Sequence, residues 1–235
     1  MEYLKLVEQY NKISKGQAFI DFSKSLVFTN TKFIGVSVTD IKKTAKDIAK
    51  NNPNIVNTYP LGIYHEIDFT VFLVTIYQNK PLREKLKDLW SLLPNLNNWA
   101  ICDSACCAFK VKPYEYSILY DFIRKCIKTK KEFFVRFGVV LCLSNLINTE
   151  YIDKIFTLIE SINCDKYYVN MAVAWLLSVC YIKFKDKTYN YMFVDKNNLS
   201  NEVIRMTIQK CTDSLRISLA DKQILKELRN FYLNK

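Results

Sequence analysis

Apolar residues recur at helical spacing in segments of roughly a dozen or more residues, and polar or ring-constrained positions separate them. The breaks fall at Gly16, Asn51 to Pro53, Pro81, Pro94, Pro113 and Asn197 to Ser200. This pattern predicts an all-α chain. One stretch, IDFTVFLVTIY from Ile67, is rich enough in β-branched and aromatic residues for a strand to compete. Its helical neighbours and the near-absence of hairpin signals assign it to a helix. Four glycines and five prolines leave no room for a glycine-rich phosphate loop or for the many tight turns of an all-β fold, which excludes Rossmann and P-loop readings.

The helical segments are related to one another. VRFGVVLCLSNLI from Val135, VNMAVAWLLSVCY from Val169 and IRMTIQKCTDSLR from Ile204 align with offsets of 34 and 35 residues (169 − 135 and 204 − 169), each with a polar residue after its first apolar position. AICDSACCAFKVK from Ala100 aligns 35 residues further upstream. Such a period is that of a helix-pair array, in which each pair leaves an apolar face that only its neighbour can cover. The predicted architecture is a right-handed all-α solenoid over residues 1–235 as a single domain, with its second helices lining a concave basic groove. A solenoid with capped ends needs no partner copy, so a monomer is expected.

Charge changes the picture next. The excess of 34 Lys and Arg over 23 Asp and Glu gives +11, spread from Lys5 to Lys235, which favours a polyanionic partner such as nucleic acid or a membrane surface. The eight cysteines sit within apolar helical patterns, and no cleavable signal precedes them, so they read as core thiols of a reducing cytoplasm rather than a disulfide framework. Cys102, Cys106 and Cys107 cluster, but the single histidine, His65, is distant in sequence and no C-x-x-C pair exists, so neither a metal nor another cofactor is expected. No apolar stretch is long and uncharged enough to span a bilayer; the nearest is VFLVTIY around residue 74.

The repeat frame places the unusual residues. In NNWAICDS, Trp99 and Asp103 lie one turn apart on one helix face, Arg136 opens the corresponding helix of the next repeat, and Trp175 sits within the one after. An anion, a cation and two indoles are thereby expected along one groove of a basic protein. With this ordered set, W-x-x-x-D, then the arginine in FFVRFGVV, then the tryptophan in YYVNMAVAWLLSVCYIKF, the chain resembles the AlkD-like DNA alkylation repair glycosylases, built of HEAT-like helical repeats. FIGV at residues 33–36, followed by DIKKTAKDIAK, is similar to the family's approach to its third helix, and the resemblance covers nearly the whole chain.

The resemblance implies hydrolysis of the N-glycosidic bond of cationic N3- and N7-alkylpurines in double-stranded DNA, without a metal and without drawing the lesion into a pocket, unlike base-flipping enzymes. It implies that Asp103 faces the positive charge that builds on the deoxyribose as the bond breaks. Trp99 and Trp175 would offer indole faces to the sugar, and Arg136 would clamp a phosphate. Lys24, Lys110, Lys112 and Lys183 are the further candidate backbone contacts. Each position also has a structural reading: Trp175 as core packing, Asp103 as a helix bridge, and Arg136 as its partner in an ion pair. Trp90 and His65 fall on no motif position.

Two departures from the family pattern stand out. Ser178 occupies the place of a basic residue one turn beyond the second tryptophan, and the groove-reading N-terminal helix is replaced by FIDFSKSLVFTNTKFIGV, with Phe22 and Lys24 near its tyrosine and lysine. VFTNT ends the helical pattern there, so that helix, within residues 14–34, is expected to be shortened or absent. Two functions are therefore carried forward: a glycosylase, and a non-catalytic paralogue with weak DNA binding or a protein ligand.

Overall fold

The structure, a computed structural model, describes residues 2–233, excluding the side chains of Ile55 and of residues 231–233. Lys235, the end of the charge distribution, lies outside them. Among the described residues there are thirteen α-helices and no strand; the only β-type pairing seen is a single bridge between Lys32 and Tyr64. The chain divides into two compact units, residues 1–111 and 112–235.

The first unit holds α1 (Glu2–Lys12), α2 (Gln17–Leu26), α3 (Val38–Asn51), α4 (His65–Tyr77), α5 (Leu82–Leu92) and α6 (Trp99–Ala108). Here α4 is the IDFTVFLVTIY segment, and it is a helix. Every residue from His65 to Ile76 is buried, because α3, α5 and α6 all pack on it. A helix apolar on all faces needs neighbours on all faces, which is why its β-branched residues do not divert it into a sheet. The Thr70 hydroxyl on α4 and the Tyr10 hydroxyl on α1 satisfy each other at 2.5 Å.

The second unit holds α7 (Tyr116–Lys128), α8 (Glu132–Asn145), α9 (Ile152–Glu160), α10 (Tyr167–Lys183), α11 (Lys185–Phe193), α12 (Asn201–Asp213) and α13 (Leu219–Leu233). The three aligned sequence segments become α8, α10 and α12, which pack consecutively, α8 on α10 and α10 on α12. Nine successive residues of α8, Phe134–Cys142, are buried. The other helices form a second row: Tyr120 Oη of α7 donates to Lys154 O of α9 (3.1 Å), Lys187 Nζ of α11 pairs with Asp153 of α9 (2.7 Å), and Phe156 stacks on Tyr191 at 4.3 Å.

Contacts between the rows' members recur at the repeat length. Tyr120 to Lys154, Asp153 to Lys187, Lys130 to Cys164 and Ile147 to Lys183 join residues 34, 34, 34 and 36 positions apart. The sequence period is thus a period of physical contact. Each such bond links one helix pair to the next, and burial of an aliphatic side chain between pairs stabilises by about 1.5–3 kcal/mol.

Gly138 of α8 lies close against α7. A Cβ there would stand 3.1 Å from Cys126 Cβ and 3.3 Å from the Ile123 carbonyl of α7, and a backbone oxygen gives way poorly. Gly138→Ala is expected to destabilise the protein by about 1–3 kcal/mol through overpacking, measured as a lower urea midpoint at unchanged slope.

Candidate nucleic-acid interface

The head of α6 presents the W-x-x-x-D pair. The Asn98 side chain caps the helix, accepting from Ile101 N at 3.1 Å, and so meets one of the backbone donors left unpaired in a first turn. Ile101, Cys102, Ala105 and Cys106 then face the core. Trp99 and Asp103, four apart, share one flank of the helix at the edge of that core face, both half-buried. The Trp99 indole Nε1 donates to the Leu26 carbonyl at 3.1 Å, an oxygen of the last turn of α2 that lacks a partner within that helix. One side chain therefore both orients its own ring and caps another helix.

The segment expected to be shortened or absent is a ten-residue helix, α2, followed by extended chain. It ends where VFTNT begins, and no residue of α2 is buried. Two contacts hold it. At the far end is the Trp99 bond; at the near end Ile20 packs against Gly35, whose φ of +94° and lack of side chain are both required, since a Cβ would meet Ile20 Cγ1 at 2.8 Å.

Gly35 belongs to the FIGV strap, and its anchor is a residue that no motif singled out. The buried Glu66 carboxylate of α4 accepts from Ile34 N (3.0 Å), Gly35 N (2.8 Å) and Val36 N (3.4 Å). Phe33 stacks on His65 at 4.5 Å. The sequence signal was present in HEIDF, a run of acidic residues opening an apolar helix, but only the fold shows what they bind. Nearby, Asp68 accepts from Gly62 N at 3.0 Å.

Burial acts oppositely on two neighbours in this helix. It raises the Asp68 carboxyl to about 6, the Gly62 N–H opposing it, and lowers the His65 imidazole to about 4. The folded state thus holds the Asp68 proton more tightly than the unfolded state, so this group costs stability as pH rises from about 4 to about 6. His65 costs stability in the other direction, as pH falls from about 6.5 to about 4.

In the second unit, Trp175 of α10 is half-buried and lines an open depression of about 330 Å³ with Ser178, Lys210, Asp213 and Arg216. Ser178, 4% exposed, turns its hydroxyl to the Trp175 carbonyl at 2.8 Å. Cations stand beside this tryptophan nonetheless, on α12 and the turn after it. Sequence reasoning missed both; Lys210 lies at the repeat offset from Trp175, 210 − 175 = 35, so the alignment already held it.

Arg136 is only 5% exposed. Its Nη1 donates to Tyr168 O at 2.6 Å and its guanidinium lies 5.8 Å from the Tyr168 ring centre. Glu132, one turn earlier on α8, accepts from Tyr168 N at 3.2 Å, so the first turn of α10 is gripped at both backbone atoms of one residue. Asn170 repeats the device, donating to Asp165 (2.9 Å) and Glu202 (3.2 Å). In α8 and α10 the polar residue near the start of the helix thus joins it to the next inner helix.

Lys24, Lys110, Lys112 and Lys183 are exposed; Lys112 lies 5.7 Å from the Tyr114 ring centre, and Lys183 reaches Ile147 O at 3.3 Å. All eight cysteines are free thiols, and burial holds Cys106 well above the usual range. Among the described residues no three His, Cys, Asp or Glu side chains form a metal-binding group, and no helix is long and apolar enough to cross a membrane.

These features define a basic, all-α protein whose second unit is built from helix pairs joined at a constant sequence interval. The chain belongs to the DNA alkylation repair enzyme family, whose model matches residues 1–211. No curated protein and no solved structure matches it.

Three outcomes test this geometry. Trp99→Phe keeps a ring but leaves Leu26 O without its donor; stability should fall by about 1 kcal/mol, and trypsin should cut at Lys24 faster than in the wild type. Asp68→Asn, which still accepts from Gly62, should exceed wild-type stability above pH 7 by up to about 3 kcal/mol, an advantage that vanishes near pH 4. The NMR signal of His65, the sole histidine, should titrate near pH 4.

Proposed function

We propose that the protein is a DNA N-glycosylase that releases cationic N3- and N7-alkylpurines from double-stranded DNA. The observation that carries this reading is the capped head of α6, which holds Trp99 and Asp103 together, half-buried, on one flank of the helix. Membership of the alkylation repair family and a net charge of +11 support it. For the second unit the reading takes the paired rows of α7–α13 as HEAT-like repeats.

The chemistry asks little of the protein. An alkylpurine carrying positive charge is already an activated leaving group. As the C1′–N bond breaks, its electron pair neutralises the base and the charge passes to the deoxyribose as an oxocarbenium ion. The Asp103 carboxylate opposes that charge, which is larger in the transition state than in the bound substrate, and this difference is what accelerates the reaction. Water then bonds to C1′ and surrenders a proton, for which Asp103 is the acceptor. The Trp99 ring, its plane set by the Leu26 bond, offers an electron-rich face to the sugar's polarised C–H groups, worth about 0.5–2 kcal/mol. Trp175 serves the same kind of contact.

Backbone grip falls to Lys24, Lys110, Lys112 and Lys183, joined by Lys210 and Arg216 beside Trp175. Arg136 is assigned a phosphate as well, through the small part of it left exposed, with Tyr168 holding the guanidinium in place. Its burial, and the serine at position 178, favour the second reading, a non-catalytic paralogue whose affinity for DNA is weak.

Release of 7-methylguanine or 3-methyladenine from methylated duplex DNA separates the two. The wild type should release them, and Asp103→Asn should lower the rate by about 10²-fold or more at unchanged DNA affinity. Release no faster than the uncatalysed background at high enzyme concentration would establish the paralogue. Affinity for duplex DNA should fall steeply with salt, each phosphate contact adding about 0.9 to the log–log slope; a flat dependence would point to a protein ligand.

A further inference from the structure

The chain between α2 and the FIGV strap carries a feature that the catalytic reading does not use. The backbone leaves the helix in an extended conformation at Val27, and the next side chains differ sharply in exposure. Val27 turns inward, 8% exposed; Phe28 turns outward, 87% exposed, the most exposed phenylalanine among the described residues. The residues on each side of it are fixed to the head of α6. Leu26 O holds the Trp99 indole at 3.1 Å, and Thr29 Oγ1 donates to Asn97 Oδ1 at 3.2 Å. Thr29 Oγ1 also accepts from Thr31 N at 3.3 Å, closing the bend. Phe28 is therefore no loose loop tip. It stands at the apex of a short bridge whose two footings are Trp99 and the residue next to that helix's cap.

Its flanks are basic. Lys24 lies four residues before it and Lys32 four residues after, both exposed, while the one nearby carboxylate on α2, Asp21, accepts from Gln17 at 2.7 Å. A rigidly footed aromatic ring between two cations matches one kind of partner: stacked apolar surface edged on both sides by anions. A base-pair step with its two phosphate rows has that form, and apolar side chains presented by basic proteins to the minor groove enter between base pairs there. An acidic peptide would satisfy the lysines without offering a stack for the ring.

We infer that Phe28 is a wedge that enters a base step of duplex DNA and partly unstacks it beside Trp99 and Asp103. This inference rests on the DNA-binding half of the proposed function and adds to it a positioning residue. Unstacking weakens the hold of neighbouring pairs on the lesion and opens the sugar edge, so the glycosidic bond becomes accessible to that flank of α6 while the base stays outside any pocket. Lys24 and Lys32 hold the two backbones as the step opens.

The test uses the full chain and a duplex with 2-aminopurine, whose fluorescence rises on unstacking. Wild-type protein at saturation should raise the emission. Phe28→Leu, which keeps an apolar wedge, should preserve the rise. Phe28→Ala should abolish it and weaken affinity by about tenfold, with helical circular dichroism and the salt slope unchanged. Leu4→Ala, altering another exposed apolar side chain of the same unit (67%), should behave as wild type. Wild-type binding with a normal salt slope but no rise in emission overturns the wedge and leaves the proposed function standing. The same holds if Phe28→Ala matches wild type, or if Leu4→Ala loses as much. No binding to duplex DNA by the wild type would end both.

Discussion

A helix pair cannot bury its own apolar face, and this constraint organises the protein. The helices that need most cover, α4, α8 and α10, are buried almost all round, and each obtains that cover from helices on several sides. In the second unit the cover arrives at a regular interval, so the same contacts recur: Tyr120 with Lys154, then Asp153 with Lys187. Where α8 lies close against α7, at Gly138, there is no side chain to stand between them. The amphipathic helices α7 and α9 remain on the outside because only one of their faces is apolar.

Polar side chains inside such an array either join helices or cost stability. Glu66, Arg136 and Asn170 join them. Glu66 ties a strap of three successive amides to α4, while Arg136 and Asn170 each tie one inner helix to the next. These groups hold backbone or neighbouring carboxylates in fixed places and so fix one helix against the next. The cations beside Trp175 and on α2 differ in kind, since they lie toward solvent where a polyanion can meet them.

The most economical link in the molecule is the Trp99 indole. Its N–H closes the end of α2, its ring plane is set by that bond, and Asp103 follows one turn later on the same face. A candidate sugar platform, a helix cap and the footing of the Phe28 bridge are therefore a single side chain. The end of α2 and the head of α6 share one support, so a change in the N-terminal segment reaches the α6 face directly.

Much of this was legible in the residues. Segment breaks at Gly16, Pro81, Pro113 and Ser200 are helix boundaries; the 34- and 35-residue offsets are contact intervals; W-x-x-x-D shares one helix flank because four residues make about one helical turn. These are local or periodic properties, and the chain carries them wherever it folds. Other features needed the fold. VFTNT showed that a helix ends at Leu26 but not that Trp99 closes it, because a bond across 73 positions has no local signature. Arg136 reads in sequence as a phosphate clamp or an ion-pair partner of Asp103, and tertiary packing makes it 5% exposed and bound to Tyr168. Glu66 looks like one more acid in a first turn until the strap lies over it. Burial and long-range pairing depend on what else arrives at a place, and that is settled only when the helices pack.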